Sequence, residues 1–215
     1  MSDYVSPHFE RLALLIIDMQ RDFVLPGAPA EIAGSAAVIP AIHDVVTAFR
    51  GRGLPIVHVV RLYLRDGSNA DLCRRSMIAN GQSIVVPESE GAEVVDELRP
   101  PGTALESSIL LSGHLQLLAA NEWAMYKPRW GAFYATNLES HLRSLGVDTL
   151  AIAGCNFPNC PRATLYEASE RDFRAILVTD AVSRSHDQGV SELANIGVNL
   201  MTAERLVRQL SLVNA

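Results

Sequence analysis

The sequence predicts a doubly wound α/β fold, a parallel sheet with helices on both faces, and three observations carry that prediction. Short unbroken apolar runs recur, at 12–17, 55–60, 150–153 and 175–179, as buried parallel strands require. Segments with apolar residues at helical spacing separate them, so strand and helix alternate along the chain. No internal repeat, linker or low-complexity tract interrupts this order in 215 residues that are 48% hydrophobic and 20% charged, enough to build one core, so residues 1–215 read as a single domain.

Taken in order, residues 12–18 form the first strand, with Asp18 at its carboxyl end. In an open parallel sheet that end faces the ligand crevice; the plain alternative is an aspartate that starts a turn. The stretch Leu25-Pro26-Gly27-Ala28-Pro29-Ala30 suits a loop over the crevice. From Ser35 to Arg52 the apolar residues Val38, Ile42, Val45, Val46 and Phe49 keep helical spacing, closed by Gly51 and Gly53. Residues 55–60 read as the second strand, and His58 within it as a core residue. The polar stretch from Tyr63 to Asn80 reads as a surface excursion or subunit contact, 91–98 as a short helix, and 110–118 as another.

Residues 122–127 read as a strand ending in Lys127, the position that Asp18 holds in the first strand. Thr136 or Asn137 caps a helix that runs to Leu145 and stops at Gly146. The run 150–153 leads into Gly154-Cys155-Asn156-Phe157-Pro158-Asn159-Cys160-Pro161, a strand, turn and helix start. Asn159 or Cys160 caps a helix whose first position is Pro161, where a missing N–H costs nothing. That helix runs to about Asp172. A strand at 175–179, a helix at 185–196, an edge strand at 198–202 and a closing helix at 203–210 complete the chain.

Asp18, Lys127 and Cys160 thus fall at the carboxyl ends of three apolar strands. A helix N-terminus favours a thiolate over a thiol, so Cys160 reads either as a nucleophile or, as most free cysteines do, as a small buried hydrophobe. A carboxylate can take the thiol proton and an ammonium can stabilise the charges that result. Other classes are disfavoured. A net charge of −6 with scattered Lys and Arg argues against nucleic acid. No Gly-x-Gly-x-x-Gly follows the first strand, there is no phosphate loop, and the six histidines show no ligand spacing, so neither cofactor nor metal is expected. Three cysteines, Cys73, Cys155 and Cys160, without a basic leader or an apolar span long enough for a bilayer, lead to the expectation of a cytoplasmic protein with free thiols and no membrane contact.

Three segments carry a family resemblance: Leu-Leu-Ile-Ile-Asp-Met-Gln-Arg-Asp-Phe at 14–23, Tyr-Lys-Pro-Arg-Trp-Gly-Ala-Phe at 126–133, and the stretch from Gly146 to Thr164. In order and spacing they resemble the isochorismatase-like cysteine hydrolases, which include nicotinamidases, carbamoyl-amide hydrolases and isochorismatases. The resemblance implies a three-layer α-β-α fold with a six-stranded, mainly parallel sheet of Rossmann-like order. It implies Asp18 as general base, Lys127 as electrostatic partner and Cys160 as nucleophile. It also implies a cis peptide joining Cys155 to Asn156, and an oxyanion hole made by the backbone N–H groups of Asn156 and Cys160.

Two departures narrow the chemistry. Arg61-Leu62-Tyr63 stands where nicotinamidases carry a metal-binding Asp-x-His, and the form Cys-Asn-Phe-Pro-Asn-Cys-Pro-Arg resembles streptothricin hydrolase relatives, which open a lactam. Hydrolysis of a C–N bond in a small molecule, amide, ureido or lactam, through a thioester is therefore the leading expectation. Vinyl ether hydrolysis of the isochorismatase type and a non-catalytic binding protein on the same fold are the alternatives. Phe23, Trp130 and Phe133 are candidate pocket walls, against core packing, and Arg162 a candidate for an anionic or carbonyl group. Relatives of this kind are commonly homodimers or homotetramers.

Overall fold

The computed structural model describes residues 4–212. The first strand β1 (Leu12–Ile17) is followed by a single helical turn α1 (Arg21–Val24), the long helix α2 (Ile39–Arg52) and β2 (Ile56–Val60). Then come α3 (Leu72–Ala79), α4 (Ser107–Leu111), β3 (Gln116–Ala119), β4 (Glu122–Tyr126), α5 (Leu138–Ser144) and β5 (Thr149–Gly154). The chain closes with α6 (Cys160–Ser169), β6 (Arg174–Val182), α7 (Asp187–Asn195), β7 (Asn199–Met201) and α8 (Ala203–Leu212).

The strands form one sheet in the order β3-β4-β2-β1-β5-β6-β7, in which only the β3–β4 pair is antiparallel. Leaving β3 aside, the six parallel strands lie in the doubly wound order 3-2-1-4-5-6, with the switch of direction beside β1. The sheet therefore has seven strands rather than the six expected, and the extra one comes from a misread helix. Gly113, at φ 86°, ends α4 after Leu111, and the chain turns back to pair Gln116 and Leu117 with Ala124 and Trp123. The helix expected over 91–98 is likewise reduced to one 3-10 turn, Glu90–Ala92. Its neighbours instead bond the loop after β1, Arg21 N–H to Glu93 O at 2.8 Å and Val95 N–H to Met19 O at 3.0 Å.

All six residues of β1 are buried, and their alternation divides the core in two. Leu12, Leu14 and Ile16 pack with Ile42, Val46 and Phe49 of α2 and Leu206 and Leu210 of α8. Ala13, Leu15 and Ile17 pack on the other face with Leu142 of α5, Leu165 of α6 and Leu193 of α7. A strand covered on both faces has no polar positions to offer, which is why its sequence is an unbroken apolar run. No helix among the described residues is long and apolar enough to cross a membrane.

The end of β1 presses against the end of β5 at Gly154, where φ is +115° and a Cβ would lie 2.1 Å from the Ile17 carbonyl oxygen. Gly154→Ala is expected to destabilise the fold by roughly 4 kcal/mol or more, lowering the melting temperature by about 10 °C. Gly102→Ala, also at positive φ but facing open space, is expected to cost only about 1 kcal/mol. Thermal unfolding of the two variants checks the contrast.

Candidate active site

Backbone ladder bonds at the carboxyl ends of the strands set the site. The Asp18 N–H donates to Val59 O at 2.9 Å, the Lys127 N–H to Val60 O at 3.0 Å, and the Cys155 N–H to Ile17 O at 2.9 Å. Residues one step past β1, β4 and β5 are thereby aligned along one rim, beside the switch point. Asp18 itself takes φ 53°, a left-handed conformation rare for a residue with a side chain. The Cys155–Asn156 peptide is cis. Four residues later Cys160 opens α6, with Pro161 in its first turn. Asn159 precedes it without making a side-chain cap, so the capping expected of that residue is absent.

Lys127 and Asp18 form a buried ion pair. Nζ lies 2.8 Å from Asp18 Oδ2 and also donates to Arg129 O at 3.3 Å. Asp18 Oδ1 is buried with no hydrogen-bond partner. Asp18 and Cys160 both line one small cavity of about 20 Å³, room for about one water. Asn156 and Asn159 line it too, and among the described residues neither the Asn156 nor the Cys160 N–H donates to a protein acceptor.

Cys160 is 6% exposed, and its thiol is pushed up to about 12. Burial is the main cause, followed by the negative charge of Asp18; Lys127 and Arg61 pull the other way and do not win. The expectation that a helix N-terminus would hold this sulfur as a thiolate is therefore reversed. With water removed and a carboxylate alongside, the resting form is the thiol. Cys155 is also a thiol, held well above its ordinary range by burial, with its Sγ donating to Asp18 O at 3.0 Å.

The sequence reading placed Phe23 and Trp130 at the pocket, and the structure puts both on its wall. Phe133 and Arg162 it places elsewhere. Phe133 packs in the core against Phe173, ring centres 5.7 Å apart, because the stretch 131–133 is tied down along α6: Ala132 N–H donates to Thr164 Oγ1 and Phe133 N–H to Glu167 Oε2. Arg162 points outward from the first turn of α6 into an ion pair with Glu192 of α7, which answers the unfavourable placing of a cation at that helix end. It lines a separate, open basin of about 300 Å³ that meets the cavity through Trp130 and Asn159.

Sequence reasoning missed Arg61, Tyr63 and Arg74, which also line the cavity, as does Ile32. Arg61 directly follows β2, as Asp18 follows β1 and Lys127 follows β4, so the same strand-end logic would have found it. Tyr63 and Arg74 come from the stretch read as a surface excursion. Arg61 is 2% exposed, ion-paired to Asp71 at 3.1 Å, and lies over the Trp130 ring at 5.3 Å. Tyr63 Oη donates at 3.0 Å to Asp71 Oδ2, the same oxygen that Arg61 meets. Among the described residues, no group of three or more His, Cys, Asp and Glu side chains is placed to hold a metal.

The isochorismatase domain matches this chain over residues 12–106 and 109–205, nearly its whole length. The chain belongs to the isochorismatase family. A probable inactive nicotinamidase from Arabidopsis thaliana is 30% identical over 96% of this chain and 100% of its own length. The crystal structure of an isochorismatase family protein from Desulfovibrio vulgaris is 34% identical and superposes with a TM-score of 0.80 over 94% of this chain and 98% of that one. N-carbamoylsarcosine amidase from Thermoplasma acidophilum is 26% identical, with a TM-score of 0.71 over 90% and 97% of the two chains. Amidohydrolases are thus among the relatives of this isochorismatase-family protein.

Because the Asp18 charge raises the Cys160 thiol, Asp18→Asn is expected to lower it. Alkylation of Cys160 by iodoacetamide between pH 8 and 10 should then speed up by roughly tenfold for each unit that the thiol falls. Peptide mass mapping separates this from the exposed Cys73, which should label first in the unaltered protein. Slower labelling of Cys160 in the variant would contradict the electrostatic account.

Proposed function

We propose that this isochorismatase-family protein is a cysteine-dependent hydrolase that cleaves a carbonyl C–N bond of a small molecule. One observation carries the reading: a thiol that must lose a proton lines the same small cavity as a carboxylate with one oxygen that has no partner, while the other oxygen of that carboxylate is held by an ammonium.

The steps follow from the groups present. Asp18 Oδ1 takes the proton of the Cys160 thiol as Sγ attacks the carbonyl carbon, and the carbonyl π electrons move onto oxygen. The N–H groups of Asn156 and Cys160 receive that oxyanion. Lys127 keeps Oδ2 engaged, so the proton is taken up at Oδ1, on the substrate side. Collapse of the tetrahedral intermediate breaks the C–N bond, the nitrogen takes the proton from Asp18 and leaves as the amine, and a thioester on Cys160 remains. Water then enters, Asp18 takes one of its protons, the hydroxyl oxygen attacks the thioester carbon, and the acid departs as the sulfur recovers its proton.

The amidase named among the structural relatives supports a C–N bond over a vinyl ether, a reaction that does not call for the cysteine. The Arabidopsis relative carries the word inactive, and the non-catalytic alternative is decided by experiment. A screen of small amides, ureas, carbamoyl compounds and lactams, followed by ammonia or amine release, is expected to find turnover that Cys160→Ser reduces by about 10³-fold or more. Denaturing mass spectrometry of the protein quenched during turnover should find the acyl group on the Cys160 peptide. Full activity of Cys160→Ala would overturn the mechanism and revive the vinyl ether reading.

A further inference from the structure

The cavity holds more positive charge than the proposed reaction uses. Lys127 is balanced by Asp18, and Arg61 by Asp71. Arg74, on α3, has no carboxylate within ion-pair distance among the described residues. Its guanidinium lies over the Phe23, Tyr63 and Trp130 rings, 5.7 to 6.0 Å from their centres. Two guanidinium nitrogens at this wall, Arg61 Nη1 and Arg74 Nε, are buried without a hydrogen-bond partner. An unmet donor on a buried charge costs free energy that a mechanism acting on a neutral amide alone does not recover. Aromatic faces can hold a guanidinium in place, but they leave its in-plane N–H groups free for an acceptor.

We propose that Arg61 and Arg74 form an anion subsite, so that the preferred substrate carries a carboxylate a few atoms from the C–N bond that is cleaved. This rests on the hydrolase reading for the location of the reacting carbon, and it assigns to these two arginines the anion-binding role expected from the sequence for Arg162, whose charge is instead spent on Glu192. Arg61 supplies a fixed donor, because its 2% exposure and its bond to Asp71 hold it still. Arg74 supplies the adjustable one. Of the eight residues in α3 only Ile78 is buried, and Leu72 and Met77 are exposed, so little packing resists an outward shift of the helix. With room for about one water in the cavity, Arg74 must withdraw to admit a substrate and then close on its carboxylate.

The test pairs monoamide acids with neutral diamides of equal length: malonamate, succinamate and glutaramate against malonamide, succinamide and glutaramide, at matched ionic strength, with ammonia release as readout. For at least one length, kcat/KM should favour the acid by about 10- to 100-fold, and Arg74→Met should erase most of that preference through KM rather than kcat. Arg74→Lys, which keeps the charge and loses the fork, should restore part of it. Turnover with no preference for any acid, or a preference that survives in Arg74→Met, would overturn the subsite and leave the hydrolase reading standing. If none of the compounds turns over, binding decides. Malonate, succinate or glutarate should raise the melting temperature of the unaltered protein more than the matching diamide does, and not that of Arg74→Met; the absence of such a shift would overturn the subsite.

Discussion

Everything at the candidate site depends on the ion pair between Lys127 and Asp18. Both charges are out of water, and the 2.8 Å contact answers each with the other. Taking either partner away leaves an uncompensated buried charge, a loss of roughly 3–5 kcal/mol in comparable cases. The pair also divides the carboxylate into two unlike oxygens. Oδ2 is committed to the ammonium, and Oδ1 is left without a partner on a residue that lines the same cavity as Cys160. We read that unpartnered oxygen as the base that the proposed reaction needs.

The fold supplies this pair with its geometry through the backbone. Asp18, Lys127 and Cys155 each follow a strand, and their N–H groups extend the ladders by one bond onto a neighbouring strand. The spacing between neighbouring strands therefore sets the spacing between the side chains that follow them. Gly154 permits the last step, since any side chain there would strike the Ile17 carbonyl and push β5 away from β1. Around this rigid rim the walls differ in firmness. The Trp130 segment is bonded along α6 through Thr164 and Glu167, whereas α3, which brings Arg74, buries only Ile78. The site thus joins a firmly held acid, amine and sulfur to one lightly packed side.

The state of the sulfur follows from the same arrangement. Helix N-termini favour thiolates where the sulfur is partly solvated. Here burial and the adjacent carboxylate outweigh Lys127 and Arg61, and the thiol is the resting form. In the proposed reaction such a cysteine stays protonated until a carbonyl enters and the proton can pass to Asp18 as the new bond forms.

The sequence by itself determined the doubly wound fold, the apolar central strands, the strand-end positions of Asp18 and Lys127, and the helix start at Cys160 that follows the strand at 150–153. Those features depend on short-range patterns, an apolar run, a turn and a helix start, that are legible in a few consecutive residues. It also placed Phe23 and Trp130 at the wall, because both sit within a few residues of a strand end. It misread 110–118, where one glycine turned an apolar stretch from helix into an edge strand, and it misplaced Phe133 and Arg162. Their neighbours in space, Phe173 and Glu192, lie 40 and 30 residues away, and proximity in sequence says nothing about which side of a helix meets them. Only the tertiary structure decided that Arg61 and Arg74 line the same cavity as Cys160, that the thiol keeps its proton, and that one carboxylate oxygen has no partner. Each of these is a balance of burial and charge among residues from separate elements, and that balance exists only once the strands have brought them together.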